Sequence, residues 1–384
     1  MRNIKLLNKI AACGTDEFDP AAYTVGEDVA APNAIMVRSA AMHDMEFGSE
    51  LEAIARAGAG VNNIPVDACA DKGIVVFNTP GANANGVKEL AIAALLLASR
   101  NIVDGINWTG TLETDVAKSV EKGKSKFAGC EIKGKTLGVI GLGAIGGLVA
   151  NAARELGMNV LGCDPFMTVK AAWKLSRGVK SATTYEDIYK AADYITLHVP
   201  ATPQTKNMIC AETLSMMKDG VKIINLSRAD LVNADDIKAA IASGKVAKYV
   251  TDFPTEDLIN QPGIITIPHL GASTEESEDN CAVMAAHELI DYLENGNITN
   301  SVNYPAISMP RSGLDRLVVL HKNQPEMLTS ITAVLASDGV NIDNMTSRSK
   351  GDYACALLDC VGTVTPEHAA DIAAIDGVIR VLIK

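Results

Sequence analysis

The sequence predicts an α/β protein in which a doubly wound parallel-sheet domain is inserted into a smaller α/β domain and followed by a βαββαβ module. Three observations lead to this prediction. From residue 134 onward, apolar strand-like segments alternate with helix-like segments, and two long helix-like stretches bracket that region. A segment containing proline and glycine, residues 297–313, then precedes a final run of short elements. At 384 residues the chain is long enough for two or three domains.

The central region alternates strands and helices as a parallel sheet requires. TLGVI at 136–140, a helix over about 144–156 and NVLGC at 159–163 form a βαβ unit. Four further strands are predicted at YITLH (194–198), KIINL (222–226), KYVT (248–251) and IITI (264–267). A helix over 234–242 is predicted between two of them, with Asn233 as its N-cap.

The outer domain is predicted from both sides of this central region. Its strands are AIMV (34–37), EAIA (52–55) and IVVF (74–77). Long helices are predicted over 87–100 and 273–295. We therefore expect an outer domain made of 1–97 and 273–304, interrupted by a central domain at 98–272.

Residues 315–384 form the third predicted domain. Its elements follow the order β, α (325–337), β (341–348), β (353–358), α (366–375), β (378–382). This order is typical of a ferredoxin-like module.

Composition excludes several classes of protein. Hydrophobic residues make up 48% and charged residues 21%, as in globular proteins. The formal charge of −12 has the wrong sign for non-specific binding to nucleic acid or to anionic lipid. The longest apolar run, residues 90–99, is about half of the ~20 residues that a membrane span needs.

Cysteine usage and the first residues indicate a cytoplasmic protein. The eight cysteines are far apart and include no C-x-x-C pair, so we expect them to be reduced. No histidine and cysteine cluster has zinc spacing, and we expect no metal site. The first fourteen residues contain no sustained apolar stretch, and we therefore predict no signal peptide.

A glycine-rich loop follows the strand at 136–140 and opens the next helix. Gly141, Gly143 and Gly146 fit G-x-G-x-x-G, with Ala144 and Ile145 between the last two glycines. In a Rossmann domain the first glycine permits a tight turn, the second lets a pyrophosphate approach, and the third lets the helix pack on the strand. The loop therefore predicts a dinucleotide site, and the alternative is a simple strand-to-helix turn.

Asp164 stands eighteen residues after Gly146, at the end of the next strand. A carboxylate at this position binds the adenosine ribose hydroxyls and repels a 2′-phosphate, which favours NAD over NADP. The alternative is an ordinary turn residue before Pro165.

Three charged residues follow the carboxyl ends of later strands, where doubly wound sheets bind their ligands. They are Arg228, Glu256 and His269. Arg228 is suited to clamp a carboxylate, His269 to take a hydroxyl proton, and Glu256 to orient the imidazole and favour its protonated form. Together they predict the oxidation of a 2-hydroxy acid. Each residue taken singly has a structural alternative: Arg228 as part of a surface ion pair, Glu256 as a solvated acid and His269 as a buried histidine.

At this point the sequence resembles the D-isomer-specific 2-hydroxyacid dehydrogenases over almost its whole length, and within them the branch that acts on 3-phospho-D-glycerate. The segments that carry the resemblance are IMVRS (35–39), RAGAGVNNI (56–64), VKEL (87–90), GLGAIG (141–146), LHVP (197–200), NLSRADLV (225–232), DFPTE (252–256) and PHLGAST (268–274). The resemblance implies NAD-dependent oxidation of 3-phospho-D-glycerate to 3-phosphohydroxypyruvate, the first step of L-serine biosynthesis. It also implies a flavodoxin-like fold for the outer domain.

The resemblance also implies further site residues. Arg38 and Ser39 would meet the substrate, and backbone amides around Ala57, Gly58 and Gly60 would hold its carboxylate. Lys124 would add a cation to the site. The alternative is that this lysine belongs to a solvated surface and has no role in the site.

The resemblance leaves one contact open in the cofactor site. Either Thr251 or Asp252 would face the amide group of the nicotinamide. We expect Asp252 to be one of the cofactor-binding residues.

Residues 315–384 resemble an ACT domain, a module that binds amino acids at a dimer interface. His321, Asn323 and Asn341 match positions that hold L-serine in related modules, while Glu326 stands where a glycine is usual. The module implies either a serine-regulated enzyme or a domain that only assembles a homodimer or homotetramer.

Two other functions remain open from the sequence. One is an NAD-dependent dehydrogenase of another D-2-hydroxy acid, such as glycerate or lactate. The other is a non-catalytic scaffold that senses NAD(H), since fold and function are separable.

Overall fold

Three β-sheets organise the chain, whose residues 1–384 are all described by this computed structural model. The strands are β1 (Arg2–Leu7), β2 (Tyr23–Gly26), β3 (Ala34–Val37), β4 (Ala53–Arg56), β5 (Val75–Asn78), β6 (Thr136–Ile140), β7 (Asn159–Cys163), β8 (Val179–Ser181), β9 (Tyr194–Leu197), β10 (Val221–Asn225), β11 (Val246–Thr251), β12 (Ile264–Thr266), β13 (Asp315–Lys322), β14 (Asn341–Lys350), β15 (Tyr353–Val361) and β16 (Val378–Ile383).

The α-helices connect and cover these strands. They are α1 (Ala12–Thr15), α2 (Val66–Asp71), α3 (Ala84–Arg100), α4 (Ile102–Thr109), α5 (Val116–Gly123), α6 (Ala144–Glu155), α7 (Val169–Ala172), α8 (Tyr185–Ala191), α9 (Ala211–Ser215), α10 (Ala234–Ala242), α11 (Glu275–Asn295), α12 (Met327–Ser337) and α13 (Pro366–Ala373). Short 3₁₀ turns occupy Lys124–Phe127 and Ala229–Leu231.

The first sheet is parallel and has the order β2-β1-β3-β4-β5, the order of flavodoxin-like folds. All four residues of β3 are buried, which explains why it reads as a continuous apolar run. The predictions of β3, β4 and β5 are confirmed. The sequence pattern did not predict β1 and β2, because each of these strands has a single buried residue, Ile4 and Tyr23.

The second sheet is also parallel, with the order β12-β11-β10-β9-β6-β7-β8. This is the doubly wound order extended by a seventh strand, and the predicted Rossmann fold is confirmed. The strand order reverses between β6 and β9, which pair directly with each other. Ligands of such sheets bind at the carboxyl ends of the strands beside this reversal.

The third sheet is antiparallel, with the order β14-β15-β13-β16, and it confirms the predicted βαββαβ module. Alternate residues of β13 pack into two different hydrophobic cores. Leu317 and Val319 pack with Ile331 and Leu335 of α12, whereas Val318 belongs to the core of the first sheet.

Several helix starts follow from local side-chain capping. The Asn233 side chain accepts hydrogen bonds from the amides of Asp235 and Asp236, both at 3.1 Å, as predicted for α10. Thr184 and Asp187 form a reciprocal capping box at α8. These helices therefore begin where the sequence sets their first turns.

By its packing the chain divides into two compact units. Unit 1 comprises Met1–Ala82 and Glu278–Lys384, with the first and third sheets, and unit 2 comprises Asn83–Ser277, with the second sheet. The division into three domains with boundaries near 97, 272 and 315 stays a prediction. None of the helices is long and apolar enough to cross a membrane.

A buried arginine ties unit 1 together. Arg316 at the start of β13 is fully buried and bonds both carboxylate oxygens of Asp359, at 2.6 and 2.9 Å. Its remaining N–H groups donate to the carbonyls of Asn295, Met309 and Pro310. The end of α11, the segment after it and the antiparallel sheet are thus joined at one guanidinium, all of whose donors are satisfied.

The last residue provides a second link inside unit 1. Lys384 Nζ lies 2.6 Å from Glu52 Oε2; the lysine side chain is 2% exposed and the glutamate side chain 15% exposed. Burial lowers the pKa of Lys384 to about 8, although the Glu52 carboxylate opposes this shift. This ion pair connects the C-terminus to the segment before β4.

We predict that Arg316→Ala lowers the free energy of unfolding by about 3–5 kcal/mol, because the buried Asp359 carboxylate keeps only the Ser312 hydroxyl as a donor and three carbonyls lose the guanidinium. Urea unfolding of the two proteins measures this difference. The control is Lys190→Ala, which removes an exposed ion pair with Glu186 and should cost at most about 1 kcal/mol. Equal effects of the two substitutions would contradict the role given to Arg316.

Candidate active site

The turn from β6 into α6 has room only for glycine at two positions. Gly141 has φ +88°, and a Cβ there would lie 2.5 Å from the carbonyl oxygen of His198. A Cβ at Gly146 would overlap the carbonyl oxygen of Gly141. The helix therefore starts in direct contact with the strand end, as a dinucleotide fold requires.

Gly143 is the N-cap of α6 and faces open space, with no atom within 4 Å of a Cβ built on it. No side chain caps the amides of the first turn, where Ala144 and Ile145 lie. Unpaired amides at a helix N-terminus favour an anion. The loop therefore fits a pyrophosphate, and the chain's own residues suit a dinucleotide.

Asp164 closes the loop from the side. Its Oδ2 accepts from the amide of Leu142 and its Oδ1 from the amide of Phe166, both at 2.9 Å. A cavity of about 190 Å³ beside it is lined by Leu142, Asp164, Pro165, Ala182 and Thr183, among others. The carboxylate is therefore fixed at the edge of a cavity beside the glycine-rich loop.

A partly buried histidine that the sequence did not point to as a site residue lies behind the loop. His198 Nε2 is 2.9 Å from the hydroxyl oxygen of Thr196, and its Nδ1 has no partner. Desolvation lowers the pKa of His198 to about 4, so the ring is neutral near pH 7. The motif LHVP was the only signal for it.

Arg228 lies past the end of β10 and is exposed. Its backbone carbonyl accepts from the amide group of Asn225, at 2.8 Å, and its guanidinium donates to the carbonyl of Ser227, at 2.6 Å. Ser227 in turn donates to the carbonyl of Leu197 on the neighbouring strand. The loop is therefore held at the carboxyl edge of the sheet while the arginine head remains accessible.

Asp252 lies past the end of β11, is only 1% exposed, and has no hydrogen-bond partner for either carboxylate oxygen. Burial raises the pKa of Asp252, while the positive charges of His269 and Arg228 oppose this effect. Thr251, by contrast, already accepts a hydrogen bond from the amide of Phe253, at 3.1 Å. Of the two candidates, Asp252 is the one with free acceptors.

His269 follows β12 and is exposed. Its ring stacks obliquely on Phe253, with the ring centroids 4.8 Å apart. Glu256 is also exposed, and no hydrogen bond or ion pair joins it to His269. The structure thus brings Arg228, Asp252 and His269 within electrostatic range, but it does not form the expected pair of Glu256 and His269.

In unit 1, Arg38 follows β3 and is half-exposed. Its guanidinium bonds Glu278 of α11 at 2.6 Å, and its carbonyl accepts from Arg56 Nε at 3.0 Å. The amide of Ser39 donates to the side chain of Asn8, at 3.0 Å. Both residues therefore have defined positions at the carboxyl end of the first sheet.

In the loop after β4, the amides without an acceptor are not the ones that the sequence predicted to bind the substrate carboxylate. The amide of Ala57 donates to the carbonyl of Val37 and that of Gly58 to the carbonyl of Arg56, both at 2.8 Å. The amides of residues 59–61 have no such acceptor. Any carboxylate bound by this loop would therefore use 59–61, because the strand end consumes the donors of Ala57 and Gly58.

Lys124 stands on an apolar surface of unit 2. It forms an exposed ion pair with Glu121. A groove of about 520 Å³ beside it is lined by Ile102, Ile106, Trp108, Val120 and Phe127, among others. Ile106 is 65% exposed, although it belongs to the apolar side of α4.

The three residues expected to hold an amino acid do not meet within one chain. His321 pairs with Ala354 and Asn341 with Val361, at opposite ends of β15 and about 23 Å apart at ~3.3 Å per residue. His321 is buried, its Nδ1 donates to the carbonyl of Lys322, and burial lowers its pKa. Asn323 is exposed and donates to the carbonyl of Gly351.

The position where related modules carry glycine has a left-handed backbone here. Glu326 has φ +66° and forms the N-cap of α12. Glycine adopts this conformation without strain, whereas a residue with a side chain does not. Glu326 therefore occupies a backbone conformation that favours glycine.

Comparison with known proteins agrees with this geometry. Residues 92–271 match the family described as "D-isomer specific 2-hydroxyacid dehydrogenase, NAD binding domain". The chain is 36% identical to the D-3-phosphoglycerate dehydrogenase of Methanocaldococcus jannaschii over 303 residues, which cover 77% of this chain and 55% of that protein. It is 32% identical to the D-3-phosphoglycerate dehydrogenase of Escherichia coli K12 over 334 residues, 84% of this chain and 78% of that protein.

A solved structure shows the same fold. The NAD⁺-bound 3-phosphoglycerate dehydrogenase of Entamoeba histolytica superposes with a TM-score of 0.61 at 26% identity, covering 79% of this chain and 98% of that one. The chain spans between 52% and 57% of the length of three of the curated relatives that it matches. On these grounds the chain belongs to the D-isomer specific 2-hydroxyacid dehydrogenase family, with residues 92–271 as its NAD-binding domain.

Proposed function

We propose that the protein oxidises 3-phospho-D-glycerate to 3-phosphohydroxypyruvate with NAD, the first step of L-serine biosynthesis. The observation that carries the proposal is the grouping of Arg228, Asp252 and His269 at the carboxyl edge of the NAD-binding sheet. The names of the relatives support the choice of substrate, because D-3-phosphoglycerate dehydrogenases match at 32–36% identity.

The residues of this group have separable tasks. The accessible guanidinium of Arg228 pairs with the substrate carboxylate, a planar fork that suits bidentate binding. His269 takes the hydroxyl proton as the alcohol is oxidised. The negative charge of Asp252 stabilises the imidazolium that forms. Bound NAD supplies the acceptor for the hydride.

Asp252 is also the better candidate for the amide group of the nicotinamide. Its oxygens are buried and unpartnered, whereas the hydroxyl of Thr251 is engaged with the backbone. A buried acceptor without a donor is costly, and a ligand N–H removes that cost. Glu256 as the partner of His269 stays a prediction, since the two side chains are not joined here.

The assignments in unit 1 are also part of the proposal. Arg38 supplies a cation for the phosphate, with Ser39 beside it, and the loop after β4 supplies amides. Lys124 would add a second cation. The apolar groove beside Lys124 supports a homodimer or homotetramer, because exposed apolar patches mark interfaces.

Regulation by L-serine is proposed only for paired modules. The separation of His321 from Asn341 along β15 means that a site built from both residues needs two copies of the chain. Titration calorimetry with millimolar serine tests this, and the absence of heat with unchanged activity would discard it. A cytoplasmic location also stays a prediction, supported by eight unpaired cysteines.

We predict that NADH forms when the protein is mixed with NAD and 3-phospho-D-glycerate at alkaline pH, and that Arg38→Ala lowers this rate. Because Arg38 is assigned to the phosphate, the same substitution should leave any rate with D-glycerate nearly unchanged. Absorbance of NADH measures both reactions. Activity with glycerate alone would select another 2-hydroxy acid as substrate, and no activity with either would favour a sensing scaffold.

We predict that His269→Gln lowers kcat by roughly 10²- to 10⁴-fold, because the proton acceptor is lost. The dissociation constant of NADH, from fluorescence titration, should change little. A variant with nearly normal turnover would remove His269 from the mechanism.

We predict that Asp252→Ala raises the dissociation constant of NADH by about tenfold, the loss of roughly one hydrogen bond to a charged group. The matched control, Thr251→Val, should bind NADH as the unaltered protein does, because the threonine hydroxyl faces the backbone. If the valine variant were the weaker binder, the nicotinamide contact would belong to Thr251.

A further inference from the structure

A cavity on unit 1 lies away from every residue assigned above. It has a volume of about 620 Å³ and lies along α11, between that helix, Ala82 and the segment at 299–300. Val283 and Met284 form an apolar wall. Polar side chains of the helix and of the segment after it also line the cavity. They include Glu288, Asp291 and Asn300.

Glu288 is the unusual member of this cavity. Its side chain is only 7% exposed although it lines the cavity. Its Oε1 accepts from the amide group of Asn300 at 2.5 Å, but its buried Oε2 has no partner. A buried carboxylate oxygen without a donor is costly, so the site is incomplete as it stands.

The one basic side chain in the lining of the cavity has another partner. His287 of the same helix pairs with Glu17 at 2.8 Å. Asp291, one turn along α11, adds a second carboxylate. Glu288 takes part in no ion pair, and the cavity has two carboxylates beside an apolar wall.

We propose that this cavity binds a small organic ammonium ion, which donates to the Glu288 carboxylate and packs its carbon chain against Val283 and Met284. A charged donor suits an unpaired carboxylate better than a neutral one does. The apolar wall favours a carbon chain over a hydrated inorganic cation. No group of three or more metal-binding side chains is present in the structure. The two carboxylates disfavour an anion or a free amino acid.

The protonation of Glu288 makes the binding depend on pH. Burial raises the pKa of Glu288 to about 7, although the hydrogen bond from Asn300 opposes this shift. The other titratable groups that line the cavity are His287, which pairs with Glu17, and Asp291, which accepts from the amide groups of Asn295 and Asn297. The ammonium binds the ionised carboxylate, so affinity rises about tenfold between pH 6 and pH 8, as expected for a group with a pKa of about 7.

The test uses the full chain and n-butylammonium chloride as the probe, measured by titration calorimetry against potassium chloride at equal ionic strength. We expect a dissociation constant on the order of 1 mM at pH 8, given the few atoms of the probe. Glu288→Gln keeps an acceptor for Asn300 but removes the charge, and should weaken binding at least about tenfold. The matched control Asp371→Asn removes an exposed carboxylate on α13 and should not change it.

A second variant supplies the ammonium from the chain itself. Met284 precedes Glu288 by one helical turn and lines the same cavity, so Met284→Lys places its Nζ near Glu288. We expect it to abolish binding of the probe and to raise the midpoint of thermal unfolding at pH 8 more than at pH 5.

The pH dependence of thermal unfolding shows whether the Glu288→Gln variant is folded. The pKa of Glu288 is raised in the folded protein, so its contribution to stability is present at low pH and is lost as pH rises through about 7. Glu288→Gln should therefore raise the unfolding midpoint at pH 8 and change it little at pH 5.

Four outcomes would overturn the proposal. These are no heat with the probe, equal binding by Glu288→Gln, tighter binding of glycine than of n-butylammonium, and full binding by Met284→Lys. None of them involves turnover, so the result is independent of the proposed dehydrogenase activity.

Discussion

The close contact between backbone and backbone where β6 turns into α6 is the constraint on which unit 2 depends. A side chain at Gly146 would overlap the carbonyl of Gly141, and one at Gly141 would meet the carbonyl of His198. Because both are glycines, the helix N-terminus lies directly at the reversal of strand order, with Gly143 open above it. The same edge presents Arg228, Asp252 and His269 past the ends of β10, β11 and β12. A side chain at either glycine would move the helix N-terminus away from the edge that holds these groups.

Unit 1 relies on a different interaction. Arg316 is buried with all its donors satisfied by Asp359 and three carbonyls, and it joins the end of α11 to the antiparallel sheet. Buried ion pairs do not by themselves add much stability, but removing one partner is costly. Because the end of α11 is fixed, the earlier residues of that helix also have fixed positions. They include Glu288 and Glu278, and Glu278 forms an ion pair with Arg38. The helix thus links the buried clamp, the incomplete carboxylate site and the arginine assigned to the phosphate.

The sequence predicts much of this fold because its signals are periodic. Buried parallel strands read as apolar runs, and the carboxyl ends of such strands share one edge, so the grouping of Arg228 and His269 follows from their places after strands. Other features have no periodic signal. The conformation of the loop bearing Glu256 depends on tertiary packing, and the amides of Ala57 and Gly58 are consumed by contacts that spacing does not encode. Arg316 and Glu288 are charged residues that sequence patterns place in solvent, yet long-range contacts bury both.

The central claim is that this chain removes a hydride from C2 of 3-phospho-D-glycerate. The most direct measurement uses substrate deuterated at C2, with NAD, and analyses the reduced nucleotide by mass spectrometry. The account predicts one deuterium in the reduced nicotinamide for each substrate oxidised. Reduced nucleotide without deuterium, or no reduced nucleotide at all, would contradict it.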